Sequence, residues 1–251
     1  MQKYDIEMHL GKTPFIFSCC FQSVREKLRK YQSIPETDIT DKTDPIRISV
    51  NRVDIRIIHD CYGPGSWCPK TEYDMLGVLA SETLIPGNQV LFHSAAFLWM
   101  KKAWLLSGES GVGKTTQLRH WIHLYGQEMK VINGDKPLLF VPEKGDIWVY
   151  PSPWNGKEGF GNPLKAPLGG IICLEQGGLN QFHQLDAGEA VTPLLGQFIS
   201  MMRTEEQIRK ICRMEEQMIQ RVPVYRMVNR GDECSAAQLH DFLQSELENM
   251  R

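Results

Sequence analysis

No stretch of this sequence approaches the roughly 20 consecutive apolar residues needed to span a bilayer. Neither charge sign dominates. The 28 Lys and Arg against 30 Asp and Glu leave a formal net charge of −2. That balance gives no reason to expect bulk electrostatic binding to nucleic acid or to an anionic membrane surface. The first residues, MQKYDIEMHLGKTPF, contain no basic segment followed by an apolar core. No secretory signal is read there, and the expected compartment is the cytoplasm. The seven cysteines form no CxxC pair and, with histidine, no zinc spacing. Cys19 and Cys20 are adjacent, Cys61 and Cys68 lie seven apart, and all are expected to be free thiols serving as small apolar residues. Repeats and low-complexity segments are also missing.

What is present is ordinary globular material: 251 residues, 42% hydrophobic and 23% charged. This is enough for one large domain, or a small domain plus a medium one. The first 60 residues read as β-rich. KYDIEMHL and PFIFSCCF are short apolar or alternating runs. IRISVNRVDIRIIHD alternates in two pieces, Ile46, Ile48, Val50 and then Val53, Ile55, Ile57, which predicts two half-buried strands. The polar stretch QSIPETDITDKTDP reads as a loop, and CYGPGSWCPK, 61–70, as a turn or exposed loop. TEYDMLGVLASETLI predicts a short helix with Thr71 as N-cap, ended by Pro86-Gly87.

The character changes around 85–92, which divides the chain into a β-rich region, 1–88, and an α/β region, 89–251. QVLFHSAAFLWM and KKAWLLSG predict two strands joined by a tight turn at Met100–Lys102. MKVING and PLLFVPEKGDIWVYPSPW predict further strands, with a Gly-Asp turn at 145–146. GGIICLEQGG, 169–178, is a glycine-bounded apolar run, as in a buried central strand. Residues 187–221 read as helical with a break near Arg203–Thr204, VPVYRMVN as a strand, and 233–250 as a final amphipathic helix.

The most specific signal is LLSGESGVGKTTQLRHWIHLYG, residues 105–126. Gly108-Glu-Ser-Gly-Val-Gly113-Lys114-Thr115 matches the phosphate-loop pattern G-x-x-x-x-G-K-[ST] without deviation. Each position has a reason. Glycines let the backbone curl so that the N–H groups of Gly108, Ser110, Gly111, Val112 and Gly113 face phosphate oxygens. A helix from about Lys114 adds its unpaired N–H groups, including those of Thr115 and Thr116, and its positive dipole end. Lys114 supplies a mobile charge near the terminal phosphates. Thr115 offers a hydroxyl to Mg²⁺. A strand-like run before the loop and a helix after it complete the context. Nucleotide is therefore the expected ligand, with Mg²⁺. The loop alone leaves open whether the phosphoryl group is transferred, hydrolysed or held.

Three features lie downstream. Asp135, in VINGDKPLL, ends a short apolar run about twenty residues after Lys114. An acid there can hold Mg²⁺ or act as base toward a hydroxyl, although an Asp after Gly is commonly a turn former. Glu175 ends GIICLE and is a second candidate metal ligand at the carboxyl edge of the sheet. PSPWNGKEGFGNPLKAP, 151–167, is a long Gly- and Pro-rich loop. It is a candidate to close over bound nucleotide, with Lys157 bringing charge to a transferring phosphoryl group.

His93, in LFHSAA, lies fifteen residues before Gly108. The order is an apolar strand ending in His, a turn, a second apolar strand, then G-x-S-G-x-G-K-[ST]. It resembles the catalytic domain of HPr kinase/phosphorylase and its relatives of the phosphoenolpyruvate-carboxykinase-like nucleotide-binding fold. Those include smaller HPr-kinase-like proteins found beside peptide-modification genes. VINGDKPLL, SPWNGKEG, PLKAPLGGIICLEQ, GEAVTPLLGQ and VPVYRM also look like segments of these smaller relatives, and the resemblance covers about 90–245. It implies an α/β fold: a mixed-sheet core with a phosphate loop. It also implies that His93 assists phosphoryl chemistry, and that Lys114 and Thr115 are the loop's lysine and hydroxyl. The family usually carries two consecutive acids after the loop. Here they fall on Gly134-Asp135, or on Asp135-Lys136 if the alignment slides by one, so only one acid is present.

Residues and resemblance together point to an ATP- and Mg²⁺-dependent kinase. Its acceptor is a hydroxyl, expected to be serine in a peptide or protein. Lys114, Asp135, His93 and Lys157 are its catalytic candidates, and Thr115, Asp135 and Glu175 its metal candidates. Two rivals stay open: a degenerate nucleotide-holding module acting in a complex, and a kinase of free serine or a polyol. Neither a nucleic-acid nor a membrane partner is expected, and a homo-oligomer is left open.

Overall fold

A computed structural model describes residues 3–31 and 44–249. Most of the loop expected at QSIPETDITDKTDP lies outside the described residues. The chain opens with strands β1 (Tyr4–Leu10) and β2 (Thr13–Cys19), helix α1 (Gln22–Arg29), strand β3 (Ile46–Ile48), and helices α2 (Arg52–Tyr62) and α3 (Pro69–Leu84). A 3₁₀ turn, Ile85–Gly87, leads to β4 (Gln89–Leu91), β5 (Ser94–Trp99), β6 (Lys102–Ser107) and helix α4 (Lys114–Tyr125). Then come β7 (Lys130–Asn133), β8 (Leu138–Phe140), β9 (Trp148–Tyr150), β10 (Ala166–Gln176) and β11 (Gln181–Gln184). Helices α5 (Ala187–Leu195) and α6 (Glu205–Arg221), strand β12 (Val224–Asn229) and helix α7 (Glu233–Asn249) complete it. The architecture is mixed α/β with mixed sheets.

Strand β10 organises the larger sheet. It pairs in parallel with β6 on one side and β12 on the other, and its first residues pair antiparallel with β9. β5 and β7 extend the β6 edge and β11 the β12 edge, all antiparallel. Ile171, Ile172, Cys173 and Leu174 are buried on both faces, which is why this strand reads as an unbroken apolar run. On one face Leu118 and Trp121 of α4 and Leu239 and Leu243 of α7 pack on Phe97, Trp104 and Ile172. On the other, Leu194 of α5 and Ile211, Met214 and Met218 of α6 pack on Leu105, Ile171 and Val224. The tight turn between β5 and β6 has Met100 and Lys101 both left-handed, the geometry whose twist suits a two-residue hairpin.

The N-terminal region corrects the β-rich expectation. β1, β2 and β3 form a three-stranded sheet, but three helices accompany them. The strand expected over Val53, Ile55 and Ile57 is helix α2. Its start is set by Asn51, whose side chain accepts from the N–H groups of Val53 and Asp54, while Asp54 accepts from the Asn51 N–H. That reciprocal cap overrides the β-branched alternation, and Asp54 and Ile58, one turn apart, face inward. In α3 the N-cap is Cys68, not Thr71. Pro69 occupies the first helical position, and Thr71 Oγ1 accepts from the Cys68 N–H at 3.0 Å. The break expected at Arg203–Thr204 is the non-helical stretch before α6, which Thr204 caps. β11 was not foreseen in the sequence. All seven cysteines are free thiols.

One apolar cluster crosses the position 88 division. Phe15, Phe17, Leu28, Ile58, Tyr73 and Leu76 share it with Leu91, Leu138, Tyr150 and Trp154. Among the described residues no helix is long and apolar enough to cross a membrane.

Candidate functional site

Strand β6 ends at Ser107, and the chain then turns through Gly108–Gly113 into α4. Gly108 has φ +131°, and a Cβ there would come within 2.8 Å of the Leu174 carbonyl of β10, so only glycine permits this close approach. Gly113, also left-handed, is the N-cap of α4 and provides no capping side chain. The first-turn N–H groups of a twelve-residue helix are therefore left to whatever the loop encloses. Lys114 is buried and its Nζ donates to the carbonyls of Gly108 at 2.7 Å and Glu109 at 2.9 Å, drawing the ammonium back across the loop. Burial pushes that ammonium down to about 8, against the pull of Asp135. A desolvated cation beside uncapped N–H groups fits a polyphosphate, whose charge restores what burial removed. Thr115 and Thr116 are half-buried on the first turn, and Ser110 and Gly111 are exposed at the loop's crest.

The second part of the site is the turn after β7. Asn133 is fully buried and shapes it. Its Oδ1 accepts from the N–H groups of Asp135 at 2.9 Å and Lys136 at 2.8 Å, and its Nδ2 donates to Ser152. Asp135 is held between two cations or potential cations: Lys136 Nζ lies 2.5 Å from Oδ2 and His93 Nε2 lies 3.5 Å from Oδ1. His93 sits between β4 and β5 rather than at the end of a long strand, and the Ser94 N–H donates to the Asp135 carbonyl at 2.9 Å. Burial, and then the Lys114 charge, hold His93 below the ordinary histidine range, with Asp135 opposing. A neutral imidazole beside a carboxylate is able to accept a proton.

The loop and His93 border a cavity of about 1340 Å³, lined by His93, the loop residues 108–112, the end of β10, Arg226 of β12, and residues of α5 and the turn after it. Cross-strand register sets a row of side chains beneath it: Ser94 opposite Ser107, Ser107 opposite Cys173, and Cys173 opposite Arg226. The Ser94 and Ser107 hydroxyls are buried without a hydrogen-bond partner. Burial pushes the Cys173 thiol up to about 12, which rules it out as a nucleophile near neutral pH.

The structure thus brings Lys114, His93 and Asp135 into one neighbourhood: His93 feels the charges of Lys114 and Asp135, and Lys114 that of Asp135. Glu175 is placed differently. Its Oε1 accepts from Arg226 Nε at 3.1 Å on the cavity wall. Among the described residues no group of three or more His, Cys, Asp or Glu side chains is gathered as a metal site. The loop's own fit for Mg²⁺ rests on the Thr115 hydroxyl.

The 151–167 loop is fixed at its stem. Tyr73 Oη donates to the Pro153 carbonyl at 2.5 Å, and Trp154 Nε1 donates to the Tyr73 carbonyl at 2.8 Å. Its tip, with Lys157 exposed, lies against the 134–136 turn, since a Cβ on Gly156 would sit 3.2 Å from Asp135 Cβ. Glu158 ties the tip to Arg119 of α4 at 2.6 Å. Sequence reasoning passed over Asn133, Gln197 and Arg226. The NGDK stretch carried the only usable hint, an Asn able to cap its own turn.

Neither a protein-family model nor a curated protein matches this sequence. Among solved structures it is similar to one described as the Hpr(Ser) kinase/phosphatase from Coxiella burnetii, at 13% identity and a TM-score of 0.38. The match covers 64% of this chain and 92% of that one. A superposition this loose assigns neither activity nor residues to this chain.

Proposed function

We propose that this protein is an ATP- and Mg²⁺-dependent phosphotransferase acting on a hydroxyl, with serine in a peptide or protein as the acceptor. The observation that carries the reading is that His93, held neutral by burial and facing Asp135, opens onto the same cavity as the phosphate loop. A loop that only held nucleotide would not require a proton acceptor there.

In this reading the loop N–H groups and Lys114 bind and orient the polyphosphate. Thr115 and, on its free lone pairs, Asp135 hold Mg²⁺, which when bound supplies charge neutralisation at the phosphates. The acceptor hydroxyl gives its proton to the His93–Asp135 pair as its oxygen forms the new bond to phosphorus. The bond from phosphorus to the bridging oxygen breaks, leaving ADP. Lys157, exposed next to Gly156 on the loop tip, would in this reading add charge during transfer.

A nucleotide-holding role is the second reading. It is favoured by Lys136, which neutralises the single acid of the turn. One experiment separates the two. Mg·ATP is titrated into wild type and Lys114→Ala, and ADP is then followed with serine peptides present. Binding lost in the variant, with peptide-dependent ADP in wild type, supports the kinase. Tight binding without ADP for any acceptor supports the holding module. Phosphorylation unchanged in Lys114→Ala would falsify both assignments of the loop.

A further inference from the structure

Part of the cavity wall is formed by α5 and the turn after it, and Gln197 on that turn is unlike its neighbours. Its main chain is fully engaged: its N–H donates to the Leu194 carbonyl at 2.9 Å, and its carbonyl accepts from the His93 N–H at 2.8 Å. Its side chain is not. The residue is 8% exposed, yet Oε1 has no hydrogen-bond partner. The Gln197 side chain favours the protonated His93 ring by a hydrogen bond; with the imidazole neutral, no donor reaches Oε1. A buried amide oxygen held in place by its own backbone, and left without a donor, costs free energy until a donor arrives. An oxygen only accepts, so what it awaits is an N–H, O–H or ammonium group.

The charge on the lining narrows the ligand. The lining carries Glu109, Glu175 and Glu189 against one arginine, Arg226; Arg226 is matched by Glu175, and Glu189 accepts from the Asp186 N–H and lies 3.3 Å from His183 Nε2. The remaining balance is negative and repels an anionic acceptor. The volume narrows it further. About 1340 Å³ exceeds the roughly 300–1,000 Å³ of a single small-molecule pocket. It has room for a polyphosphate tail on one side and a peptide segment on the other.

We propose that this wall is the acceptor subsite, that it takes a serine peptide with basic flanking residues, and that Gln197 Oε1 receives a main-chain N–H beside the serine. The proposal rests on the phosphotransferase reading for the chemistry after binding, but not for binding itself. Gln197 positions the hydroxyl next to His93 and takes no part in the bond changes.

The test uses the full-length protein saturated with Mg²⁺ and a non-hydrolysable ATP analogue. Three peptides, Gly-Lys-Ser-Lys-Gly, Gly-Gln-Ser-Gln-Gly and Gly-Glu-Ser-Glu-Gly, and free L-serine are titrated into it by calorimetry. The basic peptide is expected to bind at least about tenfold tighter than the acidic one, and Gln197→Leu to weaken it about tenfold. Gln197→Glu keeps an acceptor oxygen and is expected to retain the affinity. Nucleotide affinity, measured in each variant, serves as the folding control. Equal binding of all three peptides, no peptide binding, preference for free serine, or an unaffected Gln197→Leu each overturn the proposal. With ATP in place of the analogue, Gln197-dependent binding without phosphoserine leaves the subsite standing and removes the kinase reading instead.

Discussion

Lys136 Nζ and Asp135 Oδ2 are 2.5 Å apart, so the single acid after the phosphate loop carries its own counter-charge. The opposite oxygen of the same carboxylate faces His93 Nε2 at 3.5 Å. A carboxylate shared in this way attracts the imidazole's proton while Lys136 limits its net charge. Replacing Asp135 by Asn keeps the shape and removes both partners' anion. Turnover of the acceptor is expected to fall about 10²- to 10⁴-fold, while affinity for nucleotide measured without Mg²⁺ stays within a few-fold of wild type. A steady-state comparison beside a binding titration checks it, and unchanged turnover would eliminate the pair as proton acceptor.

Restoring a second acid at Gly134 is expected to fail for a steric reason. A Cβ at 134 would lie 2.8 Å from the Asn155 carbonyl and 3.2 Å from Phe160 Cβ, where the 151–167 loop crosses the turn. The Gly134 N–H also donates to the Phe160 carbonyl at 2.9 Å. Gly134→Asp should cost about 1–3 kcal/mol, as overpacking does. In a chain of this size that lowers the melting temperature by roughly 2–4 °C per kcal/mol, readable by calorimetry. A variant with unchanged melting temperature and raised activity would contradict this account of the missing acid.

Lys114 gives a pH signature. Its ammonium, at about 8 in the free protein because of burial, regains a counter-charge when phosphate arrives, and its proton affinity rises. Mg·ATP binding near pH 8 should therefore take up protons, and affinity should fall as pH rises through about 8. Titrations at pH 8 in two buffers of different ionisation enthalpy are expected to give different apparent heats. Equal heats would exclude Lys114 as the titrating group.

Asp54 is fully buried and accepts from Arg203 Nη2 at 3.3 Å, and Arg203 also approaches Glu82 Oε2 at 3.8 Å. This clamp holds the far end of the segment whose near end carries Gln197. Arg203→Met leaves Asp54 with its Asn51 N–H bond alone. Breaking a buried pair costs about 3–5 kcal/mol, and the 37% exposure of Arg203 puts the expected loss at or below the low end. Denaturant unfolding of Arg203→Met and of Arg203→Met with Asp54→Asn should show the double variant recovering part of the loss.

The sequence was most informative where the physics is local. Eight contiguous residues specify the glycine turn from β6 into α4, because its shape is made by its own backbone and the helix after it. The unbroken apolar run of β10 likewise announced a strand buried on both faces. Local reasoning failed at Val53–Ile57, where a three-residue capping contact between Asn51 and Asp54 outweighed the alternation. It had no access to Gln197 and Arg226, which reach one cavity from a turn and from a strand end far apart in sequence. Nor could composition show that the first 88 residues close over a loop some seventy positions downstream.

That shared cluster has a consequence for how the chain is made. Trp154 is its last buried member in chain order, and Phe17, Tyr73 and Leu76 precede it by a long interval. Synthesis proceeds at roughly 5–20 residues per second, so those side chains wait several seconds at the ribosome exit without their partner. The amino-terminal part therefore spends its first moments as an incomplete surface. A chain halted before residue 154 would be a substrate for chaperones rather than a folded fragment.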